Sequence, residues 1–313
     1  MGLFYSSAEK TGTTSGRHQQ GAAMISLVMA TVGRTEEIRR LVDSLVDQTE
    51  KRFELIAVDQ NGDDRLVPIL NDAAALGLIV KHIRLDKPNL SIARNIGIEA
   101  ASHPIVGFPD DDCWYDSCCL EGVCRAFSDY SELGACIALW EERDKGSELI
   151  STHFLDWNVV SAFRSVPISS ITLFVKRDQV RMIGGFDSRL GVGRWYGGGE
   201  ETDLVMSLVR DANKVVFSPS AKVHHAVNAQ SEIITASHRQ AKRRRARGTG
   251  ALYAKHQLRI YVILRGFLMP AIKGLFSNRR SLNSFLTGCA ISLGRLEGYF
   301  KWQVYESLDR SGY

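Results

Sequence analysis

Four short apolar runs, at residues 25–31, 53–59, 78–85 and 105–108, alternate with stretches whose apolar side chains recur every three to four positions. The first run, Ile-Ser-Leu-Val-Met-Ala-Thr, is nearly continuous rather than alternating, as expected of a strand covered on both faces. After Gly33 and Arg34 turn the chain, Thr35 is positioned to cap a helix with Ile38, Leu41, Val42, Leu45 and Val46 on one side. The second run ends in Asp59-Gln60-Asn61-Gly62-Asp63-Asp64, a string of turn residues, and a helix follows it to about Gly77. A short helix is expected over residues 91–101. Strand and helix in repeated alternation predict an open α/β sheet with parallel neighbours and helices on both faces. Such sheets bind ligands beyond the carboxyl ends of their strands. Three polar clusters fall there: Thr31 to Arg34, Asp59 onward, and Asp110-Asp111-Asp112.

The pattern then changes. Strands are expected at 134–140, 169–175, 214–218 and 221–227, with 147–162 mixed, a helix starting near Arg177 and another over 200–211. Residues 184–199 are glycine-rich and read as loop. From about Ser231 the chain reads as basic, amphipathic helices. With 313 residues, 44% of them hydrophobic, the chain can bury a sizeable core, which excludes wholesale disorder. Residues 1–22, rich in Ser, Thr, Gly and Gln, are expected to form a mobile tail without the apolar core of a signal peptide. The apolar stretch 260–276 is interrupted by Arg265, Pro270 and Lys273 and is a poor membrane span. Cys113, Cys118, Cys119, Cys124, Cys136 and Cys289 contain no CxxC pair, so reduced thiols in a cytoplasmic protein are expected.

Three adjacent carboxylates at a strand end repel one another unless a cation compensates. Hard oxygen ligands suit Mg²⁺ or Mn²⁺, which leave positions open for substrate phosphates; the alternative is a solvated acidic turn. One helix and one strand upstream, Arg94 offers a planar, permanently charged donor for a diphosphate, or else a surface arginine of an amphipathic helix.

Ala30-Thr31, Ala57-Val58-Asp59, Ser91-Ile92-Ala93-Arg94-Asn95-Ile96-Gly97 and Pro109-Asp110-Asp111-Asp112 resemble the successive motifs of family 2 glycosyltransferases. Gly199-Glu200-Glu201-Thr202-Asp203-Leu204 is similar to that family's later Gly-Glu-Asp-x-Asp-Leu motif. The resemblance spans residues 24–227. It implies a GT-A fold, a Rossmann-like nucleotide-sugar-binding mixed sheet with helices on both faces, over residues 23–230, followed by a helical extension over 231–313. It further implies an inverting transferase that moves a sugar from a nucleoside-diphosphate sugar, UDP-linked by preference, to an acceptor hydroxyl in polysaccharide or glycoconjugate synthesis. By the same resemblance, Thr31, Arg34, Asp59, Arg94, Asp110 and Asp111 would hold the nucleotide. Asp112 would be the first metal ligand, with Asp110 and His225 beside it.

The attacking hydroxyl must lose a proton, and a carboxylate at a helix start can accept it. Glu201 aligns with the family's Asp, and adjacent Glu200 remains an alternative; charge complementarity to the helix dipole would also account for both and for Asp203. The glycine loop with Trp195 and Tyr196 reads as a lid over donor and acceptor, Asp203 lying just behind it. The basic cluster Lys242, Arg243, Arg244, Arg245 and Arg247, with the apolar residues after it, suits an anionic membrane surface or a lipid-linked saccharide acceptor, giving a peripheral location on the inner face. The competing functions are a sugar-phosphate nucleotidyltransferase, for which the glycine-rich loop after the first strand is missing, and a nucleic-acid-binding protein, which leaves the acidic motifs without a purpose. No nucleic-acid partner is expected.

Overall fold

The computed structural model describes residues 24–144, 151–163, 168–226, 235–276 and 282–310. Its first half follows the alternation of the sequence: β1 (Ile25–Thr31), α1 (Glu36–Val46), β2 (Phe53–Asp59), α2 (Val67–Ala75), β3 (Val80–Arg84), α3 (Leu90–Ala100) and β4 (Ile105–Gly107). Parallel pairing sets Ile25 against both Phe53 and Ile105, and Thr31 against Asp59. The carboxyl ends of β1, β2 and β4 therefore share one edge of the sheet. Alternate side chains of β1 and β2 enter two different cores. Ile25, Leu27, Met29, Leu55 and Ala57 pack with α1 and α2, whereas Val28, Ile56 and Val58 pack with α3. Each fully enclosed Leu, Ile or Val contributes about 1.5–3 kcal/mol relative to an exposed one.

The second half departs from uniform parallel pairing. It contains β5 (Cys113–Tyr115), α4 (Cys119–Asp129), β6 (Leu133–Trp140), α5 (Glu141–Asp144), β7 (His153–Leu155), α6 (Trp157–Ser161), a 3-10 turn (Ser170–Thr172), β8 (Leu173–Lys176), α7 (Arg177–Met182), α8 (Glu200–Arg210) and β9 (Lys214–His225). The strand order is β3-β2-β1-β4-β8-β6-β9-β5, with β7 on β9. β4 pairs antiparallel with β8, and β5 antiparallel with β9, so the sheet is mixed. The two strands expected at 214–218 and 221–227 form one strand, because the register against β6 jumps past Pro219 between Ser218 and Lys222. The strand expected from residue 169 begins instead with the 3-10 turn, and the third strand is shorter than expected. Thr35 stands at the start of α1 without a side-chain capping bond. The expected tail, residues 147–150 of the mixed segment and residues 227–234 lie outside the described residues.

Three helices complete the chain: α9 (Ala236–Lys255), α10 (Ile260–Leu275) and α11 (Leu282–Arg310). α9 and α11 touch backbone to backbone. A methyl group added at Gly250 would sit 1.9 Å from the Arg295 carbonyl oxygen, and one at Gly298 the same distance from that of Arg247. The helices also press on the glycine loop, where a methyl at Gly248 would meet the Gly198 carbonyl oxygen at 1.8 Å. Among the described residues, no helix is long and apolar enough to cross a membrane. Cys113, Cys119, Cys124 and Cys136 are buried, Cys289 is half-buried and Cys118 is exposed.

Candidate active site

The acidic triplet sits just past β4, beside the end of β1. Thr31 Oγ1 donates to Asp111 Oδ2 at 2.6 Å, and Arg34 Nη1 donates to Asp111 Oδ1 at 2.8 Å and pairs closely with Asp112. Burial lifts the Asp111 carboxyl above its ordinary range; Asp112 and Asp110 add to the rise, against Thr31 and Arg34. Asp59 is fully enclosed. It accepts from the Asn61 backbone N–H at 2.9 Å and from Asn61 Nδ2 at 2.7 Å, and its other oxygen lies 2.9 Å from His82 Nε2. Thr31 and Asp59 thus shape the loops at the strand ends from below, and their own polar atoms are already engaged.

Arg94 is the centre of the site. It lies on α3, whose start is capped by Asn89 Oδ1 accepting from the Ile92 N–H at 3.1 Å. Gly97 allows α3 to lie directly on β1, since a methyl there would be 2.1 Å from a Val28 methyl. The Arg94 side chain is 2% exposed. Its Nη2 donates to Asp110 Oδ1 at 3.1 Å, and its Nη1 lies 3.5 Å from both Glu200 Oε1 and Glu201 Oε1. One buried cation therefore joins the acidic triplet to the acidic start of α8, two segments about ninety residues apart. Ser170 Oγ donates to the same Asp110 oxygen at 3.1 Å.

The loop between α7 and α8 is tied to α3. Asn95 donates to the Phe186 carbonyl and accepts from the Phe186 N–H, both at 2.8 Å, and Ser91 Oγ reaches the Leu190 carbonyl at 3.2 Å. Gly199, with φ +97°, takes the left-handed conformation that brings Glu200 inward at the helix start. The Glu200 side chain is 3% exposed and that of Glu201 20% exposed, so the neighbours occupy different environments. Glu200 Oε2 has no hydrogen-bond partner. Burial first, then the Glu201 charge, push the Glu200 carboxyl from its ordinary 4.5 up to about 7, with Arg94 opposing. A carboxyl raised in the folded state costs stability as it ionises, between about 4.5 and 7. Glu200→Gln is therefore expected to leave the unfolding midpoint unchanged near pH 4 and to raise it relative to wild type at pH 8, read by thermal melts across that range. Parallel curves for the two proteins would remove Glu200 as the source.

His225 reaches the site through strand pairing. β5 follows the triplet directly and pairs Cys113 with His225 and Trp114 with His224. His225 Nε2 then lies 3.1 Å from Asp112 Oδ1, while His224 stacks on Trp114 and meets Glu142 at 2.9 Å. Glu142 also accepts from the His225 backbone N–H at 3.2 Å, fixing the strand end. Asp112 and His225 form a carboxylate–imidazole pair whose donor atoms would suit a divalent cation. Asp110, expected beside them, has its Oδ1 occupied by Arg94 and Ser170. No group of three His, Cys, Asp or Glu side chains with metal-holding geometry exists among the described residues.

The expected lid and acceptor residues are held in place rather than free. Tyr196 is buried against Leu190, Leu252 and Trp302, so the C-terminal helices anchor it. Trp195 is more open, with the Arg247 guanidinium and the Lys301 ammonium 4.4 and 4.3 Å from its ring. Asp203 faces away from solvent. Its oxygens take Lys255 Nζ at 2.7 Å and His256 Nε2 at 2.8 Å, locking α8 to the end of α9. Ser170, Glu142 and His256 carried no motif signal in the sequence, because each is defined only by its partner across the fold.

The same architecture occurs in solved structures. The chain superposes on the mannosyltransferase PcManGT from Pyrobaculum calidifontis, determined with GDP-Man and Mn²⁺, with a TM-score of 0.63 at 14% identity, over 91% of this chain and 88% of that one. For S. aureus TarS 1-349 with UDP-GlcNAc, the TM-score is 0.58 at 16% identity, over 92% of each chain. The fold is GT-A, with additional C-terminal helices. A curated relative, the putative glycosyltransferase EpsH of Bacillus subtilis strain 168, is 30% identical over 127 residues, which are 41% of this chain and 37% of that protein. The match thus spans well under half the length of that relative. The model of glycosyl transferase family 2 matches residues 26–185, half of the chain, and the chain belongs to that family.

Proposed function

We propose that this protein is a metal-dependent, inverting glycosyltransferase that moves a sugar from a nucleoside-diphosphate sugar to an acceptor hydroxyl, with Glu201 as the base. One observation carries the reading. Arg94, itself buried, holds Asp110 and the Glu200–Glu201 pair around a single guanidinium, so a leaving-group site and a proton acceptor are neighbours. Glu201 is the solvent-facing member of its pair, and its carboxylate can take the acceptor proton as the hydroxyl attacks the anomeric carbon. Arg34, the more open of the two guanidinium groups, orients and partly neutralises the diphosphate side of the donor, while buried Arg94 holds the acids beside it. Asp112 and His225 would hold Mn²⁺ or Mg²⁺, which when bound supplies Lewis-acid neutralisation of the leaving diphosphate. A UDP-sugar is the favoured donor, and a saccharide end or lipid-linked saccharide the acceptor class.

The test is a donor screen with Mn²⁺ present or chelated, reading both nucleoside diphosphate release and the sugar product. Chelation is expected to stop turnover, and Asp112→Ala to lower it at least ~100-fold and weaken the Mn²⁺ requirement. Undiminished turnover by Asp112→Ala, with the same Mn²⁺ dependence, would remove Asp112 from the metal site.

A further inference from the structure

A cavity of about 590 Å³ lies between α10 and α11, on a part of the molecule that the acidic site does not use. Three cations line it: Arg265, Lys273 and Arg295. None of them has a carboxylate partner among the described residues. Arg265 donates to the Ala162 carbonyl and Arg295 Nη1 to the Gly266 carbonyl at 2.7 Å, while Arg295 Nε is buried with no partner. Carbonyl oxygens carry only partial charge, so the cavity keeps a net positive field that an anion would offset. The remaining wall is apolar, with Phe163, Met269 and Ile291 facing the same space.

The outer side of α10 carries a second unusual feature. Ile260, Leu264, Leu268 and Ile272 recur at every fourth residue and are between 42% and 67% exposed. They form one stripe along the helix, roughly 18 Å long at 1.5 Å per residue. Arg265 and Met269 each follow a stripe residue by one position, roughly 100° further round the helix. The cationic cavity and the apolar stripe thus adjoin on one element. A phosphodiester headgroup joined to hydrocarbon has this same pairing of charge and apolar surface.

We propose that the α10–α11 cavity and the α10 stripe together bind an anionic phospholipid of a bilayer, with the headgroup phosphate at Arg265, Lys273 and Arg295 and the stripe in the acyl boundary. The basic cluster on α9 contributes less than the sequence suggests. Arg243 and Arg247 both pair with Glu297, leaving Lys242, Arg244 and Arg245 as its exposed members. The proposal is independent of the sugar-transfer reading, because its readout requires no turnover.

The experiment is co-flotation of the full chain with phosphatidylcholine vesicles, with and without phosphatidylglycerol. Binding is expected to anionic vesicles and to fall with added salt. Lys273→Glu, at an exposed side chain, is expected to weaken partitioning at least ~10-fold. The pair Leu264→Ser and Leu268→Ser is expected to do the same by removing apolar contact. Both proteins should keep the wild-type unfolding midpoint, since neither change touches a buried group. Equal binding to neutral and anionic vesicles, or undiminished binding of Lys273→Glu, would overturn the assignment of the cavity. Concentration-dependent self-association that Leu264→Ser and Leu268→Ser abolish, without vesicle binding in the wild type, would make the stripe a contact between copies and also overturn it.

Discussion

Replacing Glu201 by glutamine is expected to lower sugar transfer by ~10²–10⁴-fold while donor binding stays close to wild type. Glutamine keeps the size and shape of the side chain at the start of α8 but removes its ability to accept a proton, together with the negative charge 3.5 Å from Arg94. The two glutamates differ in access rather than in sequence. Glu201 is 20% exposed, whereas Glu200 is enclosed, with one oxygen unpartnered and its carboxyl pushed up to about 7. A base must meet the acceptor hydroxyl within hydrogen-bond distance, and an enclosed carboxyl does not. Glu200→Gln is therefore expected to retain transfer that Glu201→Gln loses. The comparison needs product formation rates for both variants and a calorimetric titration with the nucleoside diphosphate. Normal transfer by Glu201→Gln, or a deeper loss in Glu200→Gln, would move the base to the other residue.

The second large effect is expected at Arg94. Its guanidinium is the buried countercharge for Asp110, Glu200 and Glu201 at once. Arg94→Met preserves apolar bulk against Phe186, whose ring centre is 5.3 Å from the guanidinium carbon, but leaves the acids without their shared countercharge. Removing one side of a buried ion pair costs about 3–5 kcal/mol, because the remaining charge is left in a poorly hydrated site. The loss should be larger at pH 8 than at pH 5. Glu200 ionises only as pH rises through about 7 with Arg94 in place, and in the variant its ionisation is harder still. Adding Glu200→Gln to Arg94→Met should restore part of the stability, since the most enclosed of the stranded carboxyls is then gone. Denaturant unfolding of the two single variants and the double variant checks this as a cycle. A cost under about 1 kcal/mol for Arg94→Met, with no coupling to Glu200, would mean that the acids are held by something other than this guanidinium.

The first four strands were legible because each is written as a local apolar run with a turn at its end. That period is a property of neighbouring residues and needs no tertiary information. β5 was not legible. It is three residues long and follows directly on the acidic triplet, and it exists because β9 pairs with it. β9 looked like two strands because Pro219 interrupts its middle; the pairing with β6 continues beyond the break with a shifted register. The candidate site divides in the same way. The acidic residues and Arg94 announced themselves by type and order. Their mutual geometry did not, and neither did the anchoring of Tyr196 by Trp302 or of Asp203 by Lys255 and His256.

The sequence by itself determined the alternation of β1 to β4, the shared edge at which their polar ends meet, and the chemical types gathered there. Those features follow from local periodicity and side-chain chemistry. Only the tertiary structure decided that Arg94 bridges two distant acidic segments, that His225 rather than His224 faces Asp112, and that Glu200 is enclosed while Glu201 meets solvent. Each of these depends on burial and on pairing across the chain, and a residue's depth is set by what packs over it, which its neighbours in sequence do not specify.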